Sequence, residues 1–202
     1  MKQVIDGIYQ TGKMHVSIGP HSVTKTYTGS KAQRNGFPRE VRALERLRGV
    51  AGFPQLINAD SSNFAITMSR LPGAMAKSLN PQQVALVRQR VASMLAQGVA
   101  RHSLPIRDFV VSTDGEVGMA DFERTTLRRC RFSPLWVVAT LVTQYNLSRL
   151  VRANCPEALG AGERLGLHLA DGVRAMLQPL VKSKKALRRA RRRRFEVRPS
   201  EA

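Results

Sequence analysis

A lysine in mid-strand, a glutamate near the start of the next helix and an aspartate closing a small hairpin occur in that order in this 202-residue chain. Together they are residue types that phosphoryl transfer uses. That reaction needs a lysine on the phosphates, a carboxylate to hold the lysine, carboxylates for a metal ion and a group that orients the acceptor hydroxyl. Lys25 lies in Val23-Thr24-Lys25-Thr26-Tyr27, where strand alternation aims it to one face. Glu40 follows fifteen residues later, with Leu44 one helical turn further on. Asp121 stands in Ala120-Asp121-Phe122-Glu123, just after an apolar stretch. Taken singly, a strand lysine is usually solvated and a helix glutamate usually faces water. Order and spacing single these three out.

The elements that would position them can be read along the chain. From Ile8 to Tyr27, short β-prone pieces alternate with Gly12, Gly19 and Pro20, a pattern of antiparallel hairpins. A helix begins at Asn35 or Gly36, with Pro38 in its first turn and Val41, Leu44 and Leu47 as its apolar stripe. Phe53 to Leu71 predicts two strands about the turn Asp60-Ser61-Ser62-Asn63. Leu71-Pro72-Gly73 reads as a linker. Beyond it, Asn80 caps a helix that keeps apolar spacing through Val84, Val87, Val91 and Leu95 to Gly98. Phe109-Val110-Val111 and Val117 to Ala120 form a hairpin around Ser112-Thr113-Asp114-Gly115. From Ser133 onward the pattern is helical, with breaks at Pro156, Gly160, Gly162 and Pro179. Strands with one helix, followed by helices with one hairpin, predict an α+β fold of two lobes. The expected divisions are a β-rich N-lobe over residues 1–72, a mainly helical C-lobe over 73–181 and a basic tail over 182–202.

The segment Gln97 to Val111, containing Arg101-His102-Ser103-Leu104-Pro105-Ile106-Arg107-Asp108, resembles the catalytic loop of protein-kinase-like enzymes. Asp114 to Glu123 resembles the turn, strand and metal motif that follow it. Within that superfamily the chain is most similar in appearance to bacterial lipopolysaccharide-core sugar kinases, whose metal motif often reads Asp-Phe-Glu. The resemblance runs from about Ile8 to Leu150. It implies ATP and Mg²⁺ as cofactors, Lys25 and Glu40 as the nucleotide-binding pair, and Asp108 and Asp121 as metal ligands. It also exposes two departures. Laid on His-Arg-Asp followed five residues later by Asn, the loop puts Arg101, His102 and Ser103 on the triplet and Asp108 on the asparagine. Shifting the triplet to Ile106-Arg107-Asp108 would set Thr113 as its partner inside a turn, so that register is rejected. Ser103 thus stands where the catalytic base belongs, which makes either slow transfer or a non-catalytic binding module the expected outcome. His102 is a candidate displaced base or a structural histidine. Gly12 to Gly19 lacks the Gly-x-Gly-x-x-Gly pattern and reads equally as a phosphate-covering loop or an ordinary hairpin.

Lys and Arg outnumber Asp and Glu by 33 to 14, a net charge of +19, which draws polyanions without choosing among them. Nine cations fall in the thirteen residues from Lys182 to Arg194, either a solvated tail or a site for an anionic surface such as the inner membrane. Arg124, Arg128, Arg129 and Arg131 follow the metal motif, where a kinase places its acceptor. They would grip an anionic sugar or lipid, or else lie on a solvated face. Nucleic acid is an unfavoured partner, because few aromatics are interleaved with the basic residues. His15, His21, His102 and His168 lack zinc-ligand spacing. Cys130 and Cys155 read as reduced, packed thiols, and Trp136 with Leu135, Val137, Val138 and Leu141 as core. The N-terminal residues lack a signal peptide's apolar centre, and the run Pro134 to Val142 is too short to span a bilayer. A cytoplasmic protein, peripheral at most on the inner membrane, is the expectation.

Overall fold

The structure is a computed structural model that describes residues 8–130 and 133–172. The basic run 182–194 lies outside the described residues. Those up to Leu159 belong to one compact unit, and those from Gly160 to a second.

The first unit opens with three strands, β1 (Ile8–Gln10), β2 (Met14–Ile18) and β3 (Ser22–Tyr27). Helix α1 (Phe37–Arg46) follows, and β4 (Leu56–Asp60) and β5 (Ala65–Ser69) complete a five-stranded sheet in the order β1-β2-β3-β5-β4. Every pairing is antiparallel, with Lys25 of β3 opposite Val16 on one side and Ile66 on the other. Two of the sheet's three hairpin turns are held by side chains that their sequences supply. Thr11 Oγ1 accepts the Met14 amide at 3.1 Å between β1 and β2, and Asp60 Oδ1 accepts the Ser62 and Asn63 amides at 2.9 and 3.1 Å between β4 and β5.

A single turn of wider helix at Ala32–Gly36 leads into α1, whose second residue is Pro38. The buried side of α1 is Phe37, Glu40, Ala43 and Leu44, with Leu47 just beyond. This corrects the sequence-based stripe. Val41 is only half-buried, and the acidic Glu40 takes an interior place instead. The physical reason is the lysine beneath it, for a carboxylate can be buried where a cation and further donors meet it.

Past the sheet, Gly73 turns the chain with φ of +102°, so close to the Val111 carbonyl that a Cβ would lie 2.1 Å from its oxygen. The expected linker therefore runs straight into a strand. β6 (Ala74–Met75) pairs with β8 (Phe109–Val111), which pairs with β9 (Val117–Met119). Between β6 and β8 lies α2 (Pro81–Ala96), started by a reciprocal cap in which Asn80 and Gln83 accept each other's amides. β7 (Val99–Arg101) follows α2 and pairs with β10 (Thr125–Leu127), a short strand that the sequence pattern did not suggest. Val84, Val87, Val91 and Met94 of α2 are buried, each contributing roughly 1.5–3 kcal/mol by leaving water.

Helix α3 (Pro134–Asn154) buries Ala139, Thr143, Leu147, Leu150 and Val151. Here a second expectation is overturned. Leu135, Val137, Val138 and Leu141, read as core, are exposed, and Trp136 is half-buried. The helix turns its smaller and partly polar side inward because Thr143 bridges to β7. Its hydroxyl accepts the Arg101 amide at 3.0 Å and lies 2.9 Å from the Arg101 carbonyl oxygen. Cys155 is packed as expected, donating its thiol to the Leu79 carbonyl, whereas Cys130 is exposed. In the second unit, residues 161–172 form helix α4.

Candidate functional site

Strand alternation puts Lys25 and Tyr27 on the same side of β3, facing α1. Lys25 Nζ donates to Glu40 Oε1 at 2.7 Å and reaches Asp121 Oδ1 at 3.3 Å. Glu40 is fully buried, and its carboxylate collects two further donors, the Tyr27 hydroxyl on Oε2 and the Phe122 amide on Oε1 at 3.2 Å. Three donors offset the cost of desolvating one charge. The three residues singled out from the sequence thus meet, in one ion-paired cluster.

The electrostatics follow. Burial works against the ammonium of Lys25, but Glu40 and Asp121 outweigh it and hold the lysine charged well above its ordinary value. Burial raises Asp121, yet Lys25 and Arg101 more than compensate and keep its carboxyl below the usual range. Tyr27 is pushed up by burial and by the Glu40 charge, so it stays a donor. Asp121 has φ of +68°, a left-handed conformation that aspartate tolerates better than bulky residues do. The side chain of Asp121 is 42% exposed, whereas Phe122 beside it is fully buried against Phe53. The turn therefore sends the aromatic ring inward and leaves the carboxylate at the surface of the cluster.

The loop after β7 is organised differently. Arg101 is buried, donates to the Ala120 carbonyl at 2.9 Å and pairs with Asp108 Oδ2. Its guanidinium also lies 5.5 Å from the centre of the Phe122 ring. Asp108 sits on a short 3-10 turn immediately before β8, and its carbonyl accepts the Ala120 amide at 2.8 Å. Backbone and side chain thus tie Asp108 to the segment that carries Asp121. Burial raises the Asp108 carboxyl, with Arg101 opposing and Asp121 adding to the rise. Ser103 is exposed on the same loop. His102 is exposed too, and its Nε2 shares a 2.7 Å hydrogen bond with Thr126 on β10. Burial, Arg39 and Arg124 lower the imidazole, so it is neutral near pH 7.

Two partners were missed in the sequence. Tyr27 carried a signal, because two residues after Lys25 on a strand means the same face. Arg101 carried less, since only the folded loop brings it back onto Asp108 seven residues later. The glycines of the doubtful phosphate loop fall at opposite ends of β2, Gly12 in the β1–β2 turn and Gly19 in the β2–β3 turn. A Mg²⁺ ion usually takes one or two carboxylates and completes its shell with water and phosphate oxygens. The half-exposed Asp121 fits that demand. Asp108 fits it only in competition with Arg101. Among the described residues no three His, Cys, Asp or Glu side chains gather as a metal site.

No family model matches the sequence, and no curated protein matches it significantly. Solved structures do match. The crystal structure of monomeric WbdD aligns with 84% of this chain and 47% of its own, at 16% identity and a TM-score of 0.50. WbdD co-crystallised with the kinase inhibitor LY294002 aligns over 81% and 44%, at 17% identity and a TM-score of 0.49. The chain spans about half the length of the WbdD chains it matches. With the five-stranded sheet and α1, the hairpin β8–β9 and the Lys25–Glu40–Asp121 cluster, the fold is α+β and protein-kinase-like, a β-rich N-lobe followed by a short, mainly helical C-lobe.

Proposed function

We propose that this chain is a kinase-like phosphotransferase that uses ATP with Mg²⁺ on an anionic, membrane-associated sugar such as a lipopolysaccharide-core unit. The observation that carries the reading is the closed contact of Lys25 with both Glu40 and Asp121. Glu40 holds the lysine where it can meet nucleotide phosphates, and Asp121, with Asp108 beside it, would hold the metal. When bound, Mg²⁺ neutralises charge on the phosphates and orients the transferred group. Arg124, Arg128 and Arg129 are exposed beyond Asp121 and suit an anionic acceptor. The basic run 182–194 would add attraction to an acidic membrane surface.

A second reading, a pseudokinase that binds without turnover, is favoured by Ser103. Serine does not accept a proton at neutral pH, which removes a contribution of about 10²–10⁴-fold. Thermal shift with ATP, with and without Mg²⁺, separates the two from anything further afield. A Mg²⁺-dependent stabilisation, lost in Lys25→Ala and in Asp121→Ala, supports a working nucleotide site. No shift at any nucleotide concentration would leave the kinase shape serving another ligand.

A further inference from the structure

The N-terminal half of α3 turns its larger apolar side chains outward. Leu135, Val137, Val138, Leu141 and Val142 fall within eight residues, and all are exposed, Leu135 and Leu141 to 64% and 63%. Single exposed leucines are ordinary, but a contiguous run on one helix face is a docking surface. Its surroundings say of what kind. No Asp or Glu occurs between Glu123 and Glu157, and the same stretch holds six arginines. Two of these lie on aromatic rings, one within the apolar run and one just beyond it. The Arg128 guanidinium is 5.7 Å from the centre of the Trp136 ring, and that of Arg149 is 5.7 Å from the centre of the Tyr145 ring. A second copy of the chain docked by a two-fold axis would set these arginines against one another.

We propose that this face of α3 is an interfacial membrane-docking surface that lies in the plane of an anionic lipid bilayer. Leu135, Val138 and Leu141 enter the boundary between headgroups and acyl chains, a depth of roughly 5–10 Å for such helices. Trp136 and Tyr145 lie at the headgroup level, where amphipathic rings concentrate. Arg128 and Arg149, held beside those rings, meet lipid phosphates. The helix does not span the bilayer, since no described helix is long and apolar enough to do so. This docking does not depend on the nucleotide site.

Trp136 is the chain's only tryptophan, so its fluorescence reports on this face in the unaltered protein. Adding phosphatidylcholine–phosphatidylglycerol vesicles to the full chain should shift its emission to the blue, and brominated acyl chains should quench it. Pure phosphatidylcholine vesicles should give a much smaller change. The combined variant Leu135→Asp, Val138→Asp and Leu141→Asp replaces exposed side chains and leaves the core intact. It should lower partitioning into anionic vesicles by at least about tenfold, with the thermal unfolding midpoint nearly unchanged. Unaltered Trp136 emission in the presence of anionic vesicles overturns the proposal, as does partitioning that survives the combined variant. A concentration-dependent dimer that the variant dissolves would assign the face to a second copy, and overturns it equally.

Discussion

The Lys25 cluster and the loop from Arg101 to Asp108 stand side by side and differ in kind. In the first, every charge has an opposite partner, and the outermost carboxylate, Asp121, remains 42% exposed. In the second, the acid is paired internally with Arg101, and Ser103, which the proposed function puts at the base position, is exposed. The Lys25 cluster keeps a carboxylate open to solvent, whereas the loop closes its own acid off. Positioning and charge stabilisation carry most of phosphoryl transfer, so under the proposed function a serine at the base position is compatible with nucleotide binding.

Four substitutions test how far that contrast holds, starting with the strongest. Glu40→Ala leaves Lys25, the Tyr27 hydroxyl and the Phe122 amide without their shared acceptor, and should cost about 4–5 kcal/mol in urea unfolding. Stability within 1 kcal/mol of the parent would mean that the cluster is not the keystone of the sheet and α1. Arg101→Met should cost about 3 kcal/mol at pH 7, because Asp108 then keeps only the exposed Arg107, 3.8 Å away, as counter-ion. That loss should shrink in mild acid. Burial already raises Asp108, and without Arg101 the folded state holds its proton still more tightly than the unfolded state, so stability returns as pH falls through the raised value. A deficit independent of pH would show that Arg101 matters for packing rather than for Asp108.

Ser103→Asp restores a carboxylate at the base position and should raise any phosphate transfer by about 10²-fold, measured as ADP release with a sugar acceptor. If turnover stays flat while Mg²⁺–ATP still stabilises the protein, the pseudokinase reading gains. Asn80→Ala touches neither region and removes the α2 cap, so it should cost about 1 kcal/mol and leave the nucleotide shift intact. A lost shift in that variant would show that the cluster responds to global stability alone.

Much of this contrast was legible beforehand. Period-two alternation put Lys25 on one face, and the apolar strand before Asp121 announced a motif at its end. The register placing Ser103 and Asp108 rests on Thr113 lying in a turn, and Thr113 does fall between β8 and β9. What stayed hidden depends on contacts between segments distant in sequence. β10 is three residues long and exists because β7, 24 residues earlier, pairs with it. Glu40 breaks the apolar stripe of α1, and only its three donors explain why it lies inside. The greasy start of α3 looked like core because composition reports apolarity and not which side has a neighbour.

The grip on Glu40 has one more consequence. Strand β3 holds α1 through two side chains, Lys25 and Tyr27, and the Phe122 backbone adds a third hold from beyond the sheet. For α1 to swing outward, all three bonds must break together, each worth about 1–3 kcal/mol. The displaced arrangement would then be populated at well under one per cent. Sheet, helix and the segment after β9 are thus clamped at one carboxylate, and a change that loosens any of the three should be felt by the other two.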